Sequence, residues 1–387
     1  MKTKLSMVVL AAIGMVSLGN AVELKTTGEA VVYGQTSDAG ANDLFDKAGS
    51  AANVGLRVNV AGDLGNDVGI GVEGVALGTL GLEKNLVSNV MQTAGNSGEL
   101  NDAALSQIYV TKKIDNTTLK LGRQELPAAV SPLAFSEDWN VFKNTYDAAV
   151  AINSDLPDTT LVGAWVSSNG DNDRSNLSGY INSTTRGAVE GGGYMLTAVN
   201  KSIKELPFTL SYYDLEKVAG GEAGNAIWAS TKVDAGLPVT LALQGGQINP
   251  ENALKETNAF GAEIGAKVDV FDLGLAYSSV DDGALGVVNT GGVKTPLFTQ
   301  MVANEGAIAR DADTVVLKAS TPIGAGTVSA AYGMVSAGAA NSDTQELNLA
   351  YGFKAMGTDM LLAYVNQDGD AATAENNIVR FVSRYNF

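Results

Sequence analysis

The sequence predicts a transmembrane antiparallel β-barrel of eighteen strands, with one long loop folded into its lumen. Three observations lead there. Short stretches of alternating polarity recur along the chain to its C-terminus. Connections between them alternate between short turns and longer loops. No apolar run after residue 21 approaches the ~20 residues that a membrane-crossing helix needs. A lipid-spanning strand takes about 10 residues of alternating polarity, a pattern that gains weight only by recurring.

Residues 1–21 read as a secretory signal peptide. Lys2 and Lys4 supply the positive end, 5–18 the apolar run, and Gly19-Asn20-Ala21 the small residues at a cleavage site. The mature barrel is then expected over 22–387 as one domain, with no linker or composition shift to divide it. Loss of the two lysines takes the formal charge from −17 to −19.

The chain has no cysteine and no histidine. The fold is therefore held without disulfides, and Ser-His-Asp or Cys-His catalysis is excluded. An ordinary zinc site is excluded with them, and no metal or cofactor is expected. The runs 169–173 and 366–370 look faintly like calcium loops but lack the required glycine and distal glutamate, so they read as surface turns. The acidic balance argues against nucleic acid, whose phosphates need clustered Lys and Arg.

The alternation is clear in four places. Val54, Leu56, Val58 and Val60 alternate with Gly55, Arg57 and Asn59. Phe260, Ala262, Ile264 and Ala266 alternate with Gly261, Glu263, Gly265 and Lys267. Phe271, Leu273, Leu275 and Tyr277 alternate with Asp272, Gly274, Ala276 and Ser278. Leu347, Leu349, Tyr351 and Phe353 alternate with Glu346, Asn348, Ala350 and Gly352. It blurs around 104–112, 161–166, 227–234 and 360–365. Eight short turns interleave with nine connections at the other end, which gives eighteen strands and both termini at the short-turn end. If 281–311 or another long connection is misread, the count becomes sixteen.

Energy decides which face meets lipid. One alternating set holds Arg57, Glu263, Lys267, Asp272 and Glu346; the other holds no charge. A Lys or Arg on the lipid face at mid-membrane costs roughly 2–4 kcal/mol. Several would exceed a typical net stability of about 5–15 kcal/mol. The charged set therefore faces inward and lines water.

The connection 125–145 organises the rest. It joins strand 119–124 to strand 146–152, carries Pro127 and Pro132, and holds Phe135, Glu137, Asp138, Trp139, Phe142 and Lys143. Prolines keep it out of a central strand, and long connections of this kind are usually functional. It is expected to fold into the barrel and narrow it. In the last strand, 376–387, Phe381, Tyr385 and the terminal Phe387 share one face, and Arg380 and Arg384 share the other.

With these residues in hand, the chain resembles the Gram-negative outer-membrane porins, the large trimeric barrels of sixteen or eighteen strands. The resemblance rests on the signal peptide, on Leu121-Gly122-Arg123-Gln124 closing a strand, and on Trp139 in the next loop. Thr145-Tyr146-Asp147-Ala148 opening the following strand and the final Phe387 add to it. It implies an outer-membrane location, a homotrimer, and passive diffusion of small hydrophilic solutes and ions. It also implies that Phe381, Tyr385 and Phe387 form the segment recognised for membrane insertion, and that loop 78–102 touches a neighbouring subunit.

Charges at a narrow, low-dielectric opening act strongly on what passes. Glu137 and Asp138 on the inserted loop, with Asp147 on the next strand, are the acidic candidates. Arg57, Lys120, Arg123, Arg380 and Arg384 are the basic wall candidates, with Glu29 as a carboxylate that would neutralise them; Arg123, at a strand end of ambiguous parity, reads equally as a rim residue anchoring the loop. Opposed charges would set a field across the opening, and the net acidity would favour cations. Two rivals are a non-conducting adhesion or structural barrel and a hydrolase working through Glu137 and Asp138; adjacent carboxylates on a loop support the second poorly.

Overall fold

The computed structural model describes residues 23–92, 102–138, 140–169, 188–215, 224–233, 238–251, 254–338, 343–370 and 375–387. The expected signal peptide, Trp139 and 170–173 lie outside the described residues.

Eighteen antiparallel strands form one closed sheet, each paired with its sequence neighbours, and β1 closes on β18. The first nine are β1 (Glu23–Ser37), β2 (Ser50–Gly65), β3 (Val68–Gly78), β4 (Asp102–Ile114), β5 (Thr117–Gln124), β6 (Tyr146–Asn153), β7 (Thr159–Asn169), β8 (Ala188–Asn200) and β9 (Phe208–Leu215). The rest are β10 (Gly224–Val233), β11 (Val239–Pro250), β12 (Thr257–Val268), β13 (Phe271–Val280), β14 (Ala312–Ile323), β15 (Gly326–Ala337), β16 (Thr344–Ala355), β17 (Thr358–Gly369) and β18 (Asn376–Asn386). Among the described residues, short turns join β2 to β3, β4 to β5, β6 to β7, β8 to β9, β12 to β13, β14 to β15 and β16 to β17, at the end opposite the long loops. Between β2 and β3, Asn66 and Asp67 both take positive φ (54° and 60°), as a tight two-residue hairpin requires.

The two faces divide as the charges demanded. Leu56, Ile264, Leu273, Leu317 and Leu349 point outward and are exposed, whereas Glu29, Glu73 and Glu346 are buried inside. Glu263 and Lys318 meet across the inner wall at 2.5 Å. At the seam, the Phe387 amide donates to the Gly28 carbonyl (3.0 Å) and the Gly28 amide to the Phe387 carbonyl (2.7 Å). A Cβ on Gly28 would fall 2.2 Å from the Phe387 ring, so the glycine leaves the place that ring occupies.

The blurred strands have identifiable causes. Register shifts make Ser106 an extra residue in β4 and Ser167 an extra residue in β7, so alternation breaks at both. In β10, Trp228 faces inward and is fully buried while Ile227 faces out. In β17, Leu361 packs inward against a folded-in loop and Leu362 is exposed. The inner face is thus not polar throughout. Val150, Val162, Met195, Tyr213 and Trp228 form a dry cluster with residues of the long loops.

Candidate functional site

Among the described residues, parts of three loops enter the barrel: loop 2 (described over 79–92), loop 3 (125–145, described apart from 139) and loop 7 (281–311). Loop 3 crosses it in three parts. Its first part is a finger closed at the base by two hydrogen bonds. The Leu126 amide donates to Ser136 Oγ (3.0 Å), and the Ser136 amide to the Leu126 carbonyl (2.8 Å). Leu126 and Leu133 bury themselves in the dry cluster on β6–β10, where the Leu133 amide donates to the Tyr213 hydroxyl at 3.1 Å.

The second part is a joint to loop 7. Buried Glu137 accepts from the amides of Val293 (2.8 Å) and Lys294 (3.0 Å) and from Asn289 Nδ2 (2.8 Å). Asn289 also brackets the Phe135 backbone: its Oδ1 accepts from the amide at 2.7 Å and its Nδ2 donates to the carbonyl at 2.8 Å. The Tyr146 hydroxyl donates to the Thr290 carbonyl at 2.5 Å. Asp138, next in sequence, instead faces water and pairs with Lys294 at 2.5 Å. Burial opposes its charge, but the Lys294 ammonium holds the carboxyl below its ordinary range.

The third part is the tip. Val141 and Phe142 are buried against Val31, Tyr33, Val75, Leu77 and Val382 on the opposite wall. A Cβ on inward-facing Gly55 would stand 2.9 Å from the Phe142 ring, so this glycine makes room for the tip. Arg384 Nη1 donates to the Val141 carbonyl (3.0 Å). Loop 2 clamps the tip from above: the Phe142 amide donates to Gln92 Oε1 (2.7 Å), and Gln92 Nε2 to the Phe142 carbonyl (3.1 Å). Asn53 on β2 fixes that clamp by accepting from the amides of Met91 (2.8 Å) and Gln92 (2.9 Å). Loop 2 therefore turns inward at Met91 and Gln92.

Loop 7 covers much of the remaining wall. Met301 packs on Ala276 and Val316, and the amides of Val302 and Ala303 donate to Glu346 at 2.9 and 3.1 Å. A single helical turn (Glu305–Ile308) returns the chain to β14.

Beside the tip lies a slot of roughly 400 Å³, whose lining includes Arg57, Arg380, Arg384, Glu29, Lys143 and Asp138. Arg57 Nη2 pairs with Glu29 at 2.6 Å, with looser contacts to Glu125 (3.7 Å) and Glu73 (3.9 Å). Arg384 pairs with the other oxygen of Glu29. Arg380 donates to Gln35 Oε1 at 3.0 and 2.8 Å and lies over the Tyr33 ring. Glu125, at the root of loop 3, also approaches Lys143 (3.8 Å). Burial pushes its carboxyl up against the pull of Lys143, with Glu73 adding to the rise.

The sequence-derived set is thus divided. Arg57, Arg380, Arg384 and Asp138 come together at the slot. Lys120 faces inward on β5 with its ammonium 3.8 Å from the Tyr109 ring centre, apart from the slot's lining. Glu137 is a correction: it is enclosed in the loop 3–loop 7 joint and faces no open water. Asp147 is another, and Arg123 takes the rim place that its ambiguous parity left open. In β6 the Tyr146 side chain points in, so Asp147 takes the outward face shared with Ala149, and its register partner Arg123 follows Leu121. The two pair at 2.8 Å, and Arg123 also donates to the Leu105 carbonyl at 3.1 Å. That carbonyl lies beyond the residues of β4 that β5 pairs, so the guanidinium caps an unpaired edge. Phe381, Tyr385 and Phe387 all lie on the outer face, the last two stacked at 6.1 Å.

Sequence reasoning missed loop 7 and the apolar anchoring of loop 3. The signal was available: Val141-Phe142 in one loop, and Val287, Leu297, Met301 and Ile308 in the other, are apolar residues that a solvated loop has no use for.

A closed membrane barrel, apolar outside, with loops folded over a charged inner strip, defines a porin-type channel protein. The chain belongs to the Gram-negative porin family, whose family model matches residues 6–372. It is accordingly an outer-membrane protein of a family of channels rather than enzymes. Among solved structures it is similar to OpdK of Pseudomonas aeruginosa with vanillate (13% identity, TM-score 0.75, 94% of this chain and 98% of that one). OccK9 (OpdG) of the same organism is similar at 15% identity and TM-score 0.73, over 95% and 98% of the two chains. OccAB3 of Acinetobacter baumannii is similar at 13% and 0.72, over 94% and 99%. At these identities the likeness is one of fold. No curated protein matches by sequence.

Proposed function

We propose that the chain forms a water-filled channel for passive diffusion of small hydrophilic solutes and ions, narrowed by the tip of loop 3. The observation that carries this reading is the uncovered slot beside that tip, where Arg57, Arg380 and Arg384 face Asp138 and Lys143. A solute sliding past Val141–Phe142 meets charged groups on the wall opposite that apolar tip. Polar solutes align their dipoles in such a field and apolar ones gain nothing from it.

The slot's own charges are mixed, so net acidity alone is a poor guide to ion preference. A signal peptide cleaved before Val22, insertion through Phe381, Tyr385 and Phe387, and a homotrimeric assembly belong to the same reading.

Purified protein in a planar bilayer is the test. Discrete conductance steps are expected, and liposomes carrying the protein should swell in small sugars and amino acids. One structurally similar protein was solved with vanillate, so aromatic carboxylates belong in that series. A silent bilayer with correctly folded protein would overturn the reading in favour of a non-conducting barrel.

A further inference from the structure

We infer that Glu29 is a resident counter-ion that sets the channel's ion preference by occupying a two-arginine fork. The inference rests on the channel reading above. Glu29 on β1 sits between the inner faces of β2 and β18, opposite Arg57 in register, with Arg384 opposite Val31 on its other side. Its two carboxylate oxygens are divided between the two guanidiniums: Oε2 to Arg57 at 2.6 Å, and Oε1 to Arg384. The residue is 6% exposed, against about a quarter or more for each arginine side chain.

Guanidinium pairs on a wet wall are ready-made sites for carboxylates and small inorganic anions, because each offers planar donors matched to an oxyanion. Here the protein fills that site with a carboxylate of its own. Barrel closure makes this possible, since β1 lies between β2 and β18 and brings the three staves side by side. The remaining donors of Arg384 are partly used by the Val141 carbonyl, which ties the fork to the loop 3 tip. Arg57 keeps its looser contacts with Glu73 and Glu125, so removing Glu29 unmasks Arg384 most.

A carboxylate that merely stitched the seam would affect folding and leave ion preference alone. A resident counter-ion sets the local charge that a passing ion meets. Glu29→Gln keeps the shape and one acceptor oxygen but removes the charge and puts a donor in place of the other oxygen.

The experiment is a reversal potential for the full-length protein under a potassium chloride gradient, with folding checked by heat-modifiable migration in detergent gels. Glu29→Gln should raise the chloride-to-potassium permeability ratio several-fold, Glu29→Asp should restore it, and Glu29→Gln combined with Arg384→Gln should reverse the rise. If Glu29→Gln does not fold, Arg384→Gln alone carries the test, with a shift toward potassium expected. Conducting variants whose permeability ratio matches the wild type would overturn the inference and leave the channel reading standing. Absence of conductance in the wild type would instead sink the channel reading itself.

Discussion

Two sectors of the inner wall share one strand parity and have opposite chemistry. On β6–β10 the inward residues include Val150, Val162, Met195, Tyr213 and Trp228, roofed by loop 3 and loop 7 into a dry cluster. On β18, β1 and β2 they include Arg380, Arg384, Glu29 and Arg57, left facing an open slot. Loop 3 is fixed to both: its finger sits in the first sector and its tip bears on the second. The difference teaches that pointing inward in a barrel does not mean meeting water. What decides is whether a loop covers the wall: a covered wall is apolar, as on β6–β10, or has its polar groups bonded by the loop, as at Glu346.

The strongest way to break this comparison is to hollow out the covered sector. Trp228→Ala should destabilise the protein by about 3–5 kcal/mol, the range for deleting a buried large aromatic. Arg380→Ala, whose bonds go to Gln35 in the open sector, should cost about 1 kcal/mol. Reversible urea unfolding from lipid vesicles measures both. Similar losses at the two sites would mean that the sectors are not energetically distinct.

Next in size is the joint. Glu137→Ala leaves two backbone amides and the Asn289 amide without their acceptor in a buried site. Each unsatisfied group costs about 1–3 kcal/mol, less what entering water recovers, so a loss of roughly 3 kcal/mol is expected. Single-channel records should become noisier as loop 3 parts from loop 7. Unchanged stability together with quiet openings would count against the joint as a fastening.

A smaller change probes the tip. Gly55→Ala places a methyl group 2.9 Å from the Phe142 ring, and the tip must give way. Overpacking of this kind costs about 1–3 kcal/mol. Unitary conductance should shift with it, because the displaced tip borders the slot. A shift in stability without one in conductance would place the tip away from the narrowest point.

Much of this was legible in the sequence, for a physical reason. The cost of charge in hydrocarbon is local, so Arg57, Glu263 and Glu346 reveal their face from a few neighbouring residues. The short turns do likewise, through Asn66-Asp67 and Met356-Gly357. The site was less legible because it depends on what lies above the wall. Glu137 and Asp138 are adjacent and chemically alike, yet one closes a joint and the other meets water, a distinction set by loop 7 more than 150 residues away. Asp147 looked like a lumen charge, and Arg123 stayed open between wall and rim, because a strand ending beside a folded-in loop gives no parity signal of its own. Their outward pairing follows from the early end of β5 against β4.

The smallest expected effect separates the two ends of loop 3 by titration. Asp138 has a depressed pKa, so its pairing with Lys294 contributes stability above the unfolded carboxylate value, near 3.9, and loses it as pH falls through the lower folded value. The group is largely exposed, so the contribution is about 0.2–1 kcal/mol after screening. Glu125 has the opposite sign: burial raises its pKa, so the folded state holds the proton more tightly and stability declines as pH rises between the unfolded and folded values. Carboxyl-labelled NMR titration should find the Asp138 midpoint below the ordinary range and the Glu125 midpoint above it, with Lys294→Met returning only Asp138 toward normal. Midpoints in the reverse order would mean that the root of loop 3, and not its joint, is the end that faces open water.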